Sequence, residues 1–120
     1  ARLLGGAIMP GAAVSLEALS GTASLLPRVS LEAPRRCIGS GTIECMKSGA
    51  VFGAASAIDG MIDRMEAELG GKAAVVATGG LAQHIIPYCR HEIEIDDYML
   101  LRGLSLIWQR NRRERRREAK

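Results

Sequence analysis

The apolar positions of this 120-residue chain change period several times, and each change marks an expected element. Residues 2–9 read as a strand running into Pro10-Gly11, with Gly5-Gly6 marking a place where another backbone or a ligand comes near. Val14, Leu16 and Leu19 among alanines predict a helix over residues 12–19, ended by Ser20-Gly21. Residues 25–28 are a connector, residues 29–32 alternate like a short strand, and residues 33–41 form a loop with Pro34 and two glycines. A long helical pattern then runs over residues 42–69. At 100° per residue, Ile43, Val51, Ile58, Met61, Ile62, Met65 and Leu69 make one bulky face, while Gly49, Gly53, Ser56 and Gly60 line another side. Asp59, Asp63 and Glu66 fall between these faces and are expected to meet water. Two readings of the glycines stand. Either another helix, a sheet or a second subunit lies close against the stripe, or the helix breaks near Asp59-Gly60.

Beyond Gly70-Gly71 the pattern turns β-like. Residues 72–78 are a run of small and β-branched apolar residues, as in a short strand covered on both faces. Gly79-Gly80 follow, and then a short helix over residues 81–88, with Pro87 close to its end. Residues 92–95 alternate as an edge strand, and Asp96 or Asp97 caps a last helix. The buried stripe of that helix is Leu100, Leu101, Leu104, Ile107 and Trp108, and residues 109–120 are polar all round. Strand, glycine pair and helix suit a tight turn with no ligand. They equally suit a place where part of a nucleotide approaches bare backbone below the positive end of a helix. Neither a Walker-type phosphate loop nor a Gly-x-Gly-x-x-Gly fingerprint after a strand occurs.

Composition narrows the choice. At 48% hydrophobic and 24% charged the chain is globular, with enough length for one core. Its only aromatics are Phe52, Tyr88, Tyr98 and Trp108, so elements rich in Ala and Gly must pack closely. Net charge is +3, yet residues 110–120 alone carry seven Lys/Arg against two Glu, which leaves the body slightly acidic. That tail invites a nucleic-acid reading, but it holds no aromatic and no recognised motif. A solvated helix end fits it better, and nucleic acid is not expected as a partner. Cys37, Cys45 and Cys89 form no Cys-x-x-Cys pair, which points to a reducing compartment and buried thiols. Their spacing with His84 and His91 fits no standard zinc pattern, so no metal site is expected. The longest apolar run, residues 49–58, is too short to span a bilayer, so no membrane is expected as a partner. The first residues read as strand with no turn before them, as expected of a piece cut from something longer.

The order of motifs carries more than any one of them. Gly5-Gly6-Ala7-Ile8-Met9-Pro10-Gly11 is followed by Leu26-Pro27-Arg28-Val29 and Leu31-Glu32-Ala33-Pro34. Then come Ile38-Gly39-Ser40-Gly41-Thr42 with Ser48-Gly49, next Ala77-Thr78-Gly79-Gly80-Leu81-Ala82, and last Leu101-Arg102-Gly103-Leu104. Up to about Asn111 the series resembles the C-terminal half of a type III pantothenate kinase. The resemblance implies an α/β fold: part of a ribonuclease-H-like domain of the acetate and sugar kinase, heat-shock ATPase and actin superfamily. Its sheet would be mixed, packed with helices, and without its N-terminal strands. Residues 1–111 would be the C-terminal part of that domain and residues 112–120 a basic tail. The implied activity is phosphorylation of pantothenate by ATP, the first step of coenzyme A synthesis. The implied setting is a cytoplasmic homodimer that uses Mg2+ and a monovalent cation, K+ or NH4+.

Residue by residue the resemblance implies little more. Thr42 matches a threonine that reaches pantothenate across the subunit interface, a role a hydroxyl can share with that of a helix cap or first-turn residue. Ile8 matches a position against the substrate, where a core isoleucine is the alternative. Thr78, Gly79 and Gly80 match the adenosine motif. Gly41 departs from the family, which more often has Asn or Asp there. The phosphate loops, the Gly-x-Asp-Arg segment and the aspartate expected as general base all belong upstream of Ala1. No catalytic residue is therefore expected here, and the 120 residues alone should lack kinase activity. Two rivals are a non-catalytic dimerisation module and a kinase of the same superfamily with another substrate.

Overall fold

A computed structural model of the chain describes residues 2–22 and 25–118, with side chains placed through Arg115. It is mixed α/β, and its elements run α1 (Ala12–Thr22), α2 (Thr42–Ser48), a π-helical turn (Gly49–Gly53), α3 (Ala54–Leu69), β1 (Val76–Ala77), α4 (Ala82–Ile85), a 3-10 turn (Ile86–Tyr88), β2 (Glu94–Ile95) and α5 (Met99–Glu118). The two strands pair in parallel, Val76 opposite Glu94 and Ala77 opposite Ile95. The Glu94 and Asp96 N–H groups donate to the Val75 and Ala77 carbonyls at 3.0 and 2.9 Å.

The long helix is continuous from α2 through α3, without a break at Asp59-Gly60. Its π turn changes which residues share a face. A π turn takes up one extra residue, so everything after it is rotated by about 100° from a uniform helical wheel. Met46 and Val51, five apart, are both buried, and burial then steps through Ala55, Asp59 and Ile62. Asp59, expected in water, is 2% exposed, and Ile43, expected on the bulky face, is exposed. Val51, Ala55 and Ile85 form the centre of the core, with Leu31, Ala33, Phe52, Ile58 and Cys89 packed against it. Phe52 meets Tyr88 edge to face, ring centres 5.3 Å apart. No Cβ built on Gly49, Gly53 or Gly60 would meet anything within 4 Å, so among the described residues no element lies against the glycine stripe.

The remaining expectations change where a partner element is missing. Residues 2–9 belong to no strand, and residues 29–32 are likewise irregular. A strand exists only through its neighbour's N–H and C=O groups, and among the described residues neither segment pairs with one. The strand expected over residues 72–78 shrinks to Val76–Ala77, half open rather than covered, and that over residues 92–95 to Glu94–Ile95. The helix over residues 81–88 divides into α4 and the 3-10 turn that holds Pro87. Asp96 settles the start of α5, its Oδ1 accepting the Tyr98 N–H at 3.0 Å. The α5 stripe expected to be buried is bare: Leu100, Leu101, Leu104, Ile107 and Trp108 are 55 to 72% exposed. The helix runs on through the basic segment, across the boundary placed after Asn111. Ala119 and Lys120 of that tail lie outside the described residues. Cys37 and Cys45 are exposed and only Cys89 is partly covered, so the thiols are not the buried set expected.

These uncovered surfaces show in the dimensions. The radius of gyration is 19.2 Å, against about 14 Å for a compact chain of this length. The accessible surface is 9758 Å², against about 6,300 Å² for a folded monomer of this mass.

Candidate functional site

Two places bear on function. The first is the loop before α2. Gly39 lies flat against the start of the helix: a Cβ there would sit 2.6 Å from the Cys45 amide nitrogen and 2.8 Å from the Glu44 carbonyl carbon. Glu44, in the first turn, reaches back and accepts the Ser40 N–H at 3.0 Å and its hydroxyl at 2.7 Å. Those two bonds, the hydroxyl first, hold the Glu44 carboxyl below its usual range. The Ser48 hydroxyl donates to the Cys37 carbonyl. One strap earlier, Lys47 pairs with Glu32 at 2.9 Å.

The loop so pinned presents Thr42 as the first residue of α2. Gly41 holds the cap position, no side chain caps the helix, and Thr42 is exposed. The threonine is thus a first-turn residue whose hydroxyl makes no hydrogen bond among the described residues. It lines a groove of about 620 Å³ with Leu19, Leu26, Ser40, Cys45 and Met46. Ile8 does not join it. Its side chain is 102% exposed in the irregular N-terminal segment, so it is neither a core isoleucine nor a wall of this groove.

The second place is the turn after β1. Thr78, Gly79 and Gly80 are exposed, and a Cβ built on either glycine would meet nothing within 4 Å. Gly79 has φ +106, a conformation that suits glycine. The turn closes through the Ala82 N–H donating to the Gly79 carbonyl at 3.0 Å. The helix that follows is only four residues long, so the dipole expected from it is small. What the turn offers is bare, accessible backbone.

Asp59, Asp63 and Glu66 are expected on a solvated face, and Asp63 is exposed, but Asp59 and Glu66 differ. Both instead hold backbone. The Asp59 oxygens accept the Arg90 N–H at 3.0 and 2.8 Å, and one also accepts the His91 N–H at 3.1 Å. The Arg90 N–H is the main cause that lowers the Asp59 carboxyl, against the opposing effect of burial. Glu66 accepts the Lys72 ammonium at 2.7 Å and the Ala73 N–H at 3.1 Å. Lys72 first, then Ala73, lowers the Glu66 carboxyl, and the pairing raises Lys72. Burial, with the Asp59 charge second, pushes the Cys89 thiol up. The five-residue step from Met46 to Val51 is the one signal that could have turned Asp59 inward from sequence. Among the described residues no group of three or more His, Cys, Asp or Glu could hold a metal ion. No helix there is long and apolar enough to cross a membrane.

Comparison with known proteins matches residues 1–64 to the family model for type III pantothenate kinase. The type III pantothenate kinase of Moorella thermoacetica is 46% identical over 108 residues, which is 90% of this chain and 42% of that protein. That of Pelobacter propionicus is 44% identical over the same shares. That of Mycobacteroides abscessus is 41% identical over 121 residues, 98% of this chain and 45% of the relative. The chain therefore spans less than half the length of these curated relatives.

Proposed function

Because this chain belongs to the type III pantothenate kinase family, we propose that it is the C-terminal part of an ATP-dependent pantothenate kinase, converting pantothenate and ATP to 4′-phosphopantothenate and ADP. The observation that carries this reading is the identity of 46% over 90% of the chain. On this reading residues 1–111 complete an actin-like ATPase domain and residues 112–120 are a basic tail. The enzyme is a cytoplasmic homodimer.

In that enzyme Thr78, Gly79 and Gly80 floor the adenosine, where the open space above both glycines leaves room for a flat ring against backbone. Thr42 hydrogen-bonds pantothenate of the partner subunit, and its uncommitted hydroxyl and exposed position suit that task. The uncovered glycine stripe of the long helix supports a close subunit contact. Ile8, exposed in the irregular segment before α1, reaches substrate only once that segment is docked.

Mg2+ and a monovalent cation belong to the proposed reaction, and the described residues do not fit a magnesium site. Asp59 and Glu66 are engaged with backbone N–H groups, and among the described residues no group of three or more His, Cys, Asp or Glu could hold a metal ion. This chain's own part is to bind and orient the two substrates, with the base for the attacking hydroxyl supplied from elsewhere.

The test is Thr42→Ala in the full-length enzyme. Pantothenate KM should rise about fivefold, the worth of one neutral hydrogen bond of about 1 kcal/mol, while ATP KM stays within twofold. An unchanged pantothenate KM would remove Thr42 from the site. A coupled ADP-release assay on the 120 residues alone should show no turnover.

A further inference from the structure

The glycine turn hangs from β1, and the approach to both strands is held by one face of α3. Asp59 holds the Arg90 and His91 N–H groups at 2.8 to 3.1 Å. Four residues on, Asp63 Oδ1 stands 2.7 Å from His91 Nε2. Three residues further, Glu66 holds the Ala73 N–H and the Lys72 ammonium at 3.1 and 2.7 Å. Steps of four and three keep these carboxylates on one side of a helix.

Their targets are matched in register. Ala73 lies three residues before Val76, His91 lies three residues before Glu94, and Val76 and Glu94 are paired. Three extended residues span at most about 10 Å, so little slack separates each anchor from its strand. A one-residue slip of either strand would turn its side chains to the opposite face and pull an anchored N–H from its carboxylate. Asp59 is 2% exposed, so its carboxylate depends on those N–H groups and on the Arg90 guanidinium at 3.6 Å for its partners. It touches neither candidate ligand site, and no part of the proposed chemistry uses it.

We propose that Asp59 and Glu66 are positioning residues for nucleotide binding: they lock the height of β2 against β1 and thereby set where the backbone of Gly79 and Gly80 is presented. The inference rests on the reading of Thr78, Gly79 and Gly80 as the adenosine floor. It is not restricted to this chain's role in turnover, because the lock itself is visible in amide exchange.

The experiment takes the full-length enzyme with Asp59→Asn and, separately, Glu66→Gln. Hydrogen exchange is followed at the Glu94 and Asp96 amides, which donate to the Val75 and Ala77 carbonyls. Both should lose protection at least tenfold, while amides of the π-helical turn around Val51 and of the first turn of α3 keep theirs. In parallel, ATP KM should rise about tenfold with pantothenate KM within twofold. A general loss of stability would expose all these amides together and raise both KM values; that outcome overturns the proposal, as does undiminished protection at Glu94 and Asp96. If protection falls at the strands and ATP KM stays fixed, the lock stands and the glycine turn is not the nucleotide floor, which overturns the positioning role and the site reading together. Should Asp59→Asn fail to fold, Glu66→Gln gives the same readouts from a position nearer the surface.

Discussion

Helices α3 and α5 carry apolar stripes of similar clarity, yet one is the spine of the core and the other stands bare. Ala55, at the head of α3, is 2% exposed, while Leu104, in the middle of the α5 stripe, is 55% exposed. The difference lies outside the helices. The α3 side is met by Ile85, by the strap at Leu31 and Ala33, and by backbone N–H groups that its carboxylates hold. The α5 side is met by little beyond its own length: Arg112 lies over the Trp108 ring at 5.2 Å and Arg110 pairs with Glu114. An amphipathic stripe states that a helix needs a partner and not which one.

The sharpest way to break that contrast is a pair of truncations followed by urea denaturation. Ile85→Ala should cost about 2–5 kcal/mol, since it removes a fully packed side chain from the core. Leu104→Ala should change stability by no more than about 0.5 kcal/mol, as at an exposed position. Equal losses would mean that α5 is covered in solution. In the full-length enzyme the Leu104→Ala cost should grow if the uncovered stripe docks there.

Gly39→Ala tests the strap. Its methyl would sit 2.6 Å from a backbone nitrogen that cannot move without α2, so a loss of about 1–3 kcal/mol is expected. The groove beside Thr42 should distort with it, seen as a higher pantothenate KM in the full-length enzyme. Gly79→Ala should cost about 1 kcal/mol from its backbone conformation alone, as nothing obstructs the methyl. Gly80→Ala, with no positive φ, should cost less in the same denaturation experiment.

Acid should act on the supported region gradually. Glu32, Glu44, Asp59 and Glu66 all have carboxyl groups held below their ordinary values of 4.5 for Glu and 3.8 for Asp. A lowered folded value means that the stabilisation is complete above the unfolded value and is lost as pH falls through the folded one. Urea midpoints should therefore be level from about pH 6 to 5 and decline below about pH 4. Asp59→Asn should flatten part of that decline. A decline that begins above pH 6 would point to groups other than these four.

How much of this was legible beforehand follows from the range of the forces involved. Three helices were readable as elements, because an α-helix closes its own hydrogen bonds and prints its period locally, but their ends were not. Helix α1 runs through Ser20-Gly21, expected to end it at Leu19, on to Thr22, with the Ser20 hydroxyl turned back onto the Leu16 carbonyl. The turn at Gly79-Gly80 and the loop before Thr42 were readable as glycine-marked backbone, and their order matched a family. Residues 2–9 kept a strand-like pattern without becoming a strand, because pairing needs a second backbone that their own sequence does not contain. Asp59 was misplaced by a single π turn, which the composition of residues 49–53 does not announce.

By itself, then, the sequence determined the helices, the two glycine turns and the family, since these rest on local periodicity and on motif order. Only the tertiary structure decided which carboxylates face inward, which stripe is covered, and how α3 sets the register of β1 on β2. Those outcomes depend on groups far apart in the chain, whose meeting is settled by packing and by the need of each buried N–H and carboxylate for a partner.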